Sequence, residues 1–185
     1  MNKTNTPDTE RTRSWFVLRD LKRANAKNPA YKLLGERGFE VFTPMRWRVV
    51  TRLGRRVREE VPLIQDLLFV YAGRECLDPV IEQLDTLQYR YVRGGTYRDP
   101  MRVRDNDMER FIRVVRSTET PRYYLPEELT PAMYGRKIRV VGGPLDGCEG
   151  SLLTVRGSKA RRLFVEIPAL LAVSVEVNPD YIQFI

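Results

Sequence analysis

Histidine is absent from the 185 residues, and with it go the commonest general base, the commonest metal ligand and the usual partner of a serine or cysteine nucleophile. Most hydrolytic schemes lose their central residue. Cysteine is nearly absent as well. Cys76 and Cys148 fall in what read as different domains, with no second cysteine at metal-ligand spacing near either, so both are expected to be reduced and structural. No two carboxylates are isolated together in an apolar stretch. Neither an enzyme nor a bound cofactor is expected from this inventory. Long apolar runs are missing too. The longest, residues 67–72, falls far short of the ~18 residues needed to cross a bilayer. Residues 1–13 are rich in Thr, Asn, Asp and Arg and lack the apolar stretch of a secretory signal. A cytoplasmic protein without a membrane anchor is the expectation.

What is present is ordinary for a globular chain: 42% hydrophobic and 30% charged residues, enough for two small cores. The net charge of +8 points to an acidic partner, for which nucleic acid is the usual candidate. Its distribution says more than its size. Arg46, Arg48, Arg52, Arg55, Arg56 and Arg58 fall within residues 46–58, a stretch that contains no acid. Like charges held together repel, so a hairpin gains nothing from them unless a polyanion is bound. Trp47, between two of these arginines, is placed to stack on an unpaired base or an arginine. The alternatives are a solvated hairpin and burial of Trp47 in the sheet.

Residues 14–19 read as a buried strand. Asn28 and Pro29 open a short helix, starting at about Ala24 or Pro29 and ending near Arg37. Residues 39–43 alternate with period two and stop at Pro44. Residues 46–61 form two polar strands around Gly54, a projecting basic hairpin. Residues 67–71 fit a central strand. Asp78-Pro79 opens a second helix, residues 88–92 form a strand stopped by Gly94-Gly95, and Asp105 caps a last helix carrying Met108, Phe111, Ile112 and Val115 at helical spacing. Periodicity then disappears between Ser117 and Met133, where Pro121, Pro126 and Pro131 suggest a semi-stiff linker. Five short strands follow, at 137–141, 150–155, 163–167, 173–177 and 181–185, and suggest a small barrel. The expected organisation is a tail at 1–13, an α+β domain at 14–116, a linker at 117–133 and an all-β domain at 134–185.

Gly135-Arg-Lys-Ile-Arg-Val-Val-Gly-Gly-Pro-Leu-Asp-Gly-Cys-Glu-Gly150 resembles a KOW motif, a hydrophobic strand running into a turn and then a glycine before the next strand. Gly143, Gly147 and Gly150 suit the positive φ and close approaches of such a turn. The preceding half resembles the NGN domain of NusG-type transcription factors. Its Trp-x-Val strand is matched by Trp15-Phe16-Val17, its Gly-Phe-x-x-Phe-x-Pro strand by residues 38–44, and its core strand by residues 62–70. The resemblance spans about 14–185. Ile64-Gln65-Asp66-Leu67 departs from the family's usual Phe-Pro-Gly-Tyr, while keeping apolar residues at 64 and 67.

The resemblance implies an α+β NGN sandwich with an antiparallel sheet, followed by a five-stranded KOW barrel. It implies a protein that binds RNA polymerase, reduces pausing or termination, and has no active site. On the family's pattern, Trp15, Pro62, Ile64, Leu67 and Phe69 would dock on the polymerase clamp helices; the alternative for Trp15 and Phe69 is that both are core. Arg46, Trp47, Arg48, Arg52, Arg55 and Arg56 would meet nucleic acid, non-template DNA in particular. Pro144, Leu145 and Asp146 would recruit the termination factor Rho or a small-subunit ribosomal protein. The arginine-rich hairpin and divergent core strand are similar to specialised UpxY-like paralogues. A KOW-bearing RNA-binding or ribosome-associated protein is the alternative that the basic surface also permits.

Overall fold

The computed structural model describes residues 13–22, 27–92, 99–154 and 157–185. The tail at 1–12, the helix start at Ala24, the Gly94-Gly95 stop and Val155 lie outside them. The chain divides into two compact units, 1–104 and 105–185. Among the described residues no helix is long and apolar enough to cross a membrane.

The N-terminal unit is an antiparallel sheet of β1 (Ser14–Asp20), β2 (Glu40–Phe42), β5 (Leu67–Ala72), β6 (Leu87–Tyr89) and β7 (Arg102–Val103). The order is β2-β5-β1-β6, with β7 also pairing β1. Period-two alternation gives β1 and β5 two buried faces. Phe16, Leu18, Leu68, Val70 and Ala72 form one face and pack with Ala30 and Leu34 of α1 (Ala30–Glu36) and Leu77 of α2 (Arg74–Gln83). Each of the larger side chains, Phe, Leu or Val, contributes roughly 1.5–3 kcal/mol. Trp15, Val17, Leu67 and Phe69 belong to the opposite face and are also buried.

Both helices begin differently from the sequence reading. Asn28 does not cap α1. The buried Asp20, at the end of β1, does so instead, accepting the Ala30 N–H at 2.6 Å and the Lys22 N–H at 3.0 Å. Pro79 lies inside α2 rather than at its start, because the Gly73 carbonyl already accepts the Cys76 and Leu77 amides. Asp78 is then released from capping and accepts the Tyr89 hydroxyl at 2.7 Å. Burial, followed by this bond to Asp78, pushes the Tyr89 phenol well above its ordinary pKa.

The C-terminal unit contains α3 (Asp105–Arg116), which packs against β11 (Arg161–Ile167) and β12 (Leu171–Val177). Its sheet is antiparallel and six-stranded, in the order β13-β9-β10-β11-β12-β8. The strands β9 (Lys137–Val140), β10 (Glu149–Thr154), β11, β12 and β13 (Ile182–Phe184) match the five expected. Their described pairing is an open path rather than a closed barrel. The sixth strand, β8 (Arg122–Tyr124), lies within 117–133, the stretch whose prolines read as a linker. Tyr124 Oη lies 3.1 Å from Ser174 Oγ, and Leu129 and Met133 pack on Leu153, Phe164 and Ala172. Pro126 and Pro131 each open a short 3-10 turn. Gly150 sits where a Cβ would lie 2.5 Å from the Phe164 carbonyl oxygen, so the strand approach requires glycine there.

Candidate functional site

The arginine cluster lies on β3 (Met45–Arg52) and β4 (Arg55–Pro62), which among the described residues pair only with each other and leave most of both faces exposed. A two-stranded ribbon of this kind is marginal in isolation. It is anchored at its root, where the Leu63 amide donates to the Pro44 carbonyl at 2.8 Å and the Thr43 hydroxyl to the Leu67 carbonyl at 2.8 Å. The connection is Leu53-Gly54, with φ of 49° and 75°. Two left-handed residues match the twist of paired strands.

The register Arg48↔Glu59, Val50↔Val57, Arg52↔Arg55 sorts the side chains. Arg46, Arg48, Arg52, Arg55 and Glu59 share one face, while Trp47, Val49, Arg56, Arg58 and Glu60 share the other. The acid-free stretch thus meets acid across the turn. Glu59 holds Arg52 at 2.7 Å and Arg48 at 3.7 Å. Among the described residues Arg46, Arg55 and Arg56 have no ion pair. Trp47 is half exposed rather than buried in a sheet core, and the Arg58 guanidinium covers one face of its ring at 4.5 Å from the centroid. About half of the Trp47 surface remains exposed, so an indole already carrying a cation is within reach of a planar group.

The apolar residues nominated for polymerase separate by burial. Trp15, Leu67 and Phe69 are 4%, 2% and 0% exposed. They hold the sheet together, with Trp15 against Tyr71 and Phe69 against Phe42, and none presents surface to a partner. Pro62 and Ile64 lie with Val61 and Leu63 in a continuous, partly exposed apolar run at the hairpin root. The divergent Gln65-Asp66 has an internal use that the sequence did not reveal. Asp66 pairs with Arg19 at 3.1 Å and Arg90 at 3.2 Å, and Gln65 donates to the Lys22 carbonyl at 3.1 Å.

In the C-terminal unit, Gly142, Gly143 and Gly147 all have positive φ. The Asp146 carboxylate closes the turn by accepting the Gly142 amide, and the Gly147 amide donates to Val140 at 2.8 Å. Leu145 is buried, a plug for the turn rather than an exposed contact, whereas Pro144 and Asp146 are exposed. The Pro144 carbonyl accepts the Arg113 Nε–H at 3.1 Å. A cleft of about 330 Å³ beside this turn is lined by Arg110, Arg113, Cys148 and Glu149 among others. Burial pushes the Cys148 thiol up, with Arg113 and Arg110 opposing, so the thiol is neutral rather than nucleophilic. Both cysteines are unbonded, Cys76 exposed and Cys148 buried. No group of three or more metal-ligating side chains occurs among the described residues.

Residues 13–112 match the family model described as NusG, transcription termination factor nusG. That is more than half of the chain, and the match runs past Arg104 into α3. No curated protein matches the chain.

Proposed function

The chain belongs to the NusG family, whose members are transcription factors without catalytic activity, and from that premise we propose an elongation or antitermination regulator. It binds RNA polymerase through the N-terminal unit and lowers pausing or termination. Binding energy spent on one conformation of the polymerase achieves this without chemistry. The family match carries the reading. Polymerase docks on the partly exposed apolar run that includes Pro62 and Ile64, while Leu67, Phe69 and Trp15 support that run from the core. Arg46, Trp47, Arg48, Arg52, Arg55 and Arg56 meet non-template DNA. Residues 134–185 act as a KOW domain whose Pro144–Asp146 turn recruits Rho or a small-subunit ribosomal protein, with Pro144 and Asp146 as its outward residues. The basic hairpin and the Gln65-Asp66 replacement support a specialised UpxY-like paralogue active in the cytoplasm.

Co-purification with polymerase tests the docking surface. Ile64→Glu is expected to lose polymerase with circular dichroism and melting unchanged, whereas Leu67→Glu is expected to unfold the unit. Retention of polymerase by folded Ile64→Glu would remove the apolar run as the docking site.

A further inference from the structure

The turn of the hairpin breaks a local rule and receives nothing in packing for it. Leu53 has a φ of 49° and is followed by Gly54 at 75°, a left-handed pair that Asn-Gly or Asp-Gly adopts most readily. Leucine is ill suited to that region, because its Cβ crowds the following carbonyl. Its side chain is also wholly exposed, at 104% of the reference surface. In the free protein Leu53 therefore holds a strained backbone and keeps its apolar carbons in water. A backbone outlier with no compensation in the fold is the kind of feature from which a binding role is inferred.

Its neighbours identify the partner's chemistry. Arg52, Arg55 and Arg56 flank the tip, and the last two carry no ion pair among the described residues. An apolar tip ringed by guanidinium groups fits a nucleic-acid strand, whose phosphates take the cations while its base stack admits an aliphatic wedge. Trp47 lies six residues back along β3, about 20 Å away at the rise of a strand, with one ring face backed by Arg58. That is a platform for a second base farther along the same strand.

We propose that Leu53 is a wedge that enters between adjacent bases of an unpaired or opening strand while the surrounding arginines hold its backbone. This rests on the reading of the hairpin as a nucleic-acid surface. The test uses the full chain and a DNA bubble carrying 2-aminopurine at successive positions of one unpaired strand. Leu53→Asn suits the left-handed turn and keeps the hairpin folded, and Leu53→Met keeps an apolar tip. The parent and Leu53→Met are expected to raise fluorescence at one position, where the base is unstacked. Leu53→Asn should abolish that rise and bind about five- to tenfold more weakly with the same salt dependence. Equal fluorescence and affinity for Leu53→Asn, with salt-dependent binding intact, would overturn the wedge and leave the arginine contacts standing. Absence of salt-dependent binding by the parent would overturn both. Leu53-dependent binding to phosphatidylserine vesicles in preference to the bubble would overturn the wedge in favour of a lipid surface.

Discussion

Replacing Glu59 with glutamine should strengthen nucleic-acid binding, because Glu59 is the internal competitor for the hairpin arginines. Its carboxylate lies 2.7 Å from Arg52 and 3.7 Å from Arg48, and both guanidiniums must leave it before they can neutralise a phosphate. Arg52 is 69% exposed and Arg48 53%, so the pairs add at most about 1 kcal/mol to stability and their loss should hardly move the melting temperature. On a single strand each neutralised phosphate contributes about 0.7 to the slope of log K against log salt, so release of two arginines steepens it by up to about 1.4. Removing one negative charge at roughly 7 Å from a phosphate in water adds about 0.6 kcal/mol, close to threefold in affinity. Arg55→Ala with Arg56→Ala should flatten the slope by about the same 1.4, since neither has to leave a partner. Fluorescence anisotropy of a labelled DNA bubble across a potassium chloride series reads both changes. If Glu59→Gln leaves the slope unaltered while the double alanine variant flattens it, the competition argument is wrong. If neither changes it, the hairpin is a solvated face.

Asp20→Ala should cost about 1–3 kcal/mol in denaturant unfolding, because it leaves the Ala30 amide without its buried acceptor. A loss below half a kilocalorie would show that water replaces the carboxylate. With no histidine to titrate, stability should be nearly flat between about pH 6 and 8. The raised phenol of Tyr89 contributes stability that is complete below its ordinary pKa of 10.0 and declines as the pH rises from there toward its higher folded value. Tyr89→Phe should remove that part of the alkaline decline in thermal melts and cost about 1 kcal/mol at neutral pH through the lost bond to Asp78. A fragment of residues 105–185 should melt higher than one of residues 117–185, with a gap of at least about 2 kcal/mol from the packing of α3 on β11 and β12. Equal melting would place α3 with the N-terminal unit, as the extent of the family match to residue 112 suggests.

Much of this protein was legible in its sequence because the relevant signals are local. The apolar runs in residues 14–19 and 67–71, the period-two alternation of residues 39–43, the turn at Gly54 and the apolar spacing of residues 108–112 each specify an element through neighbours a few positions away. The same holds for the five C-terminal strands and for the lack of histidine, which needed no structure to count against most catalytic schemes. The order of a Trp-x-Val strand, a Gly-Phe strand, a basic hairpin and an apolar core strand was sufficient to suggest the family. What the sequence left open depends on groups that only folding brings together. Asp20 caps a helix ten residues later, and Glu59 reaches arginines across a turn that the linear charge count treated as free of acid. Asp66 is clamped between Arg19 and Arg90, and Leu145 fills a turn whose motif read as exposed. Trp15, Leu67 and Phe69 have the composition of a docking surface and the burial of a core. An apolar side chain gains free energy equally against its own protein or a partner, so local pattern cannot choose between them; the choice is made by which faces the tertiary fold covers.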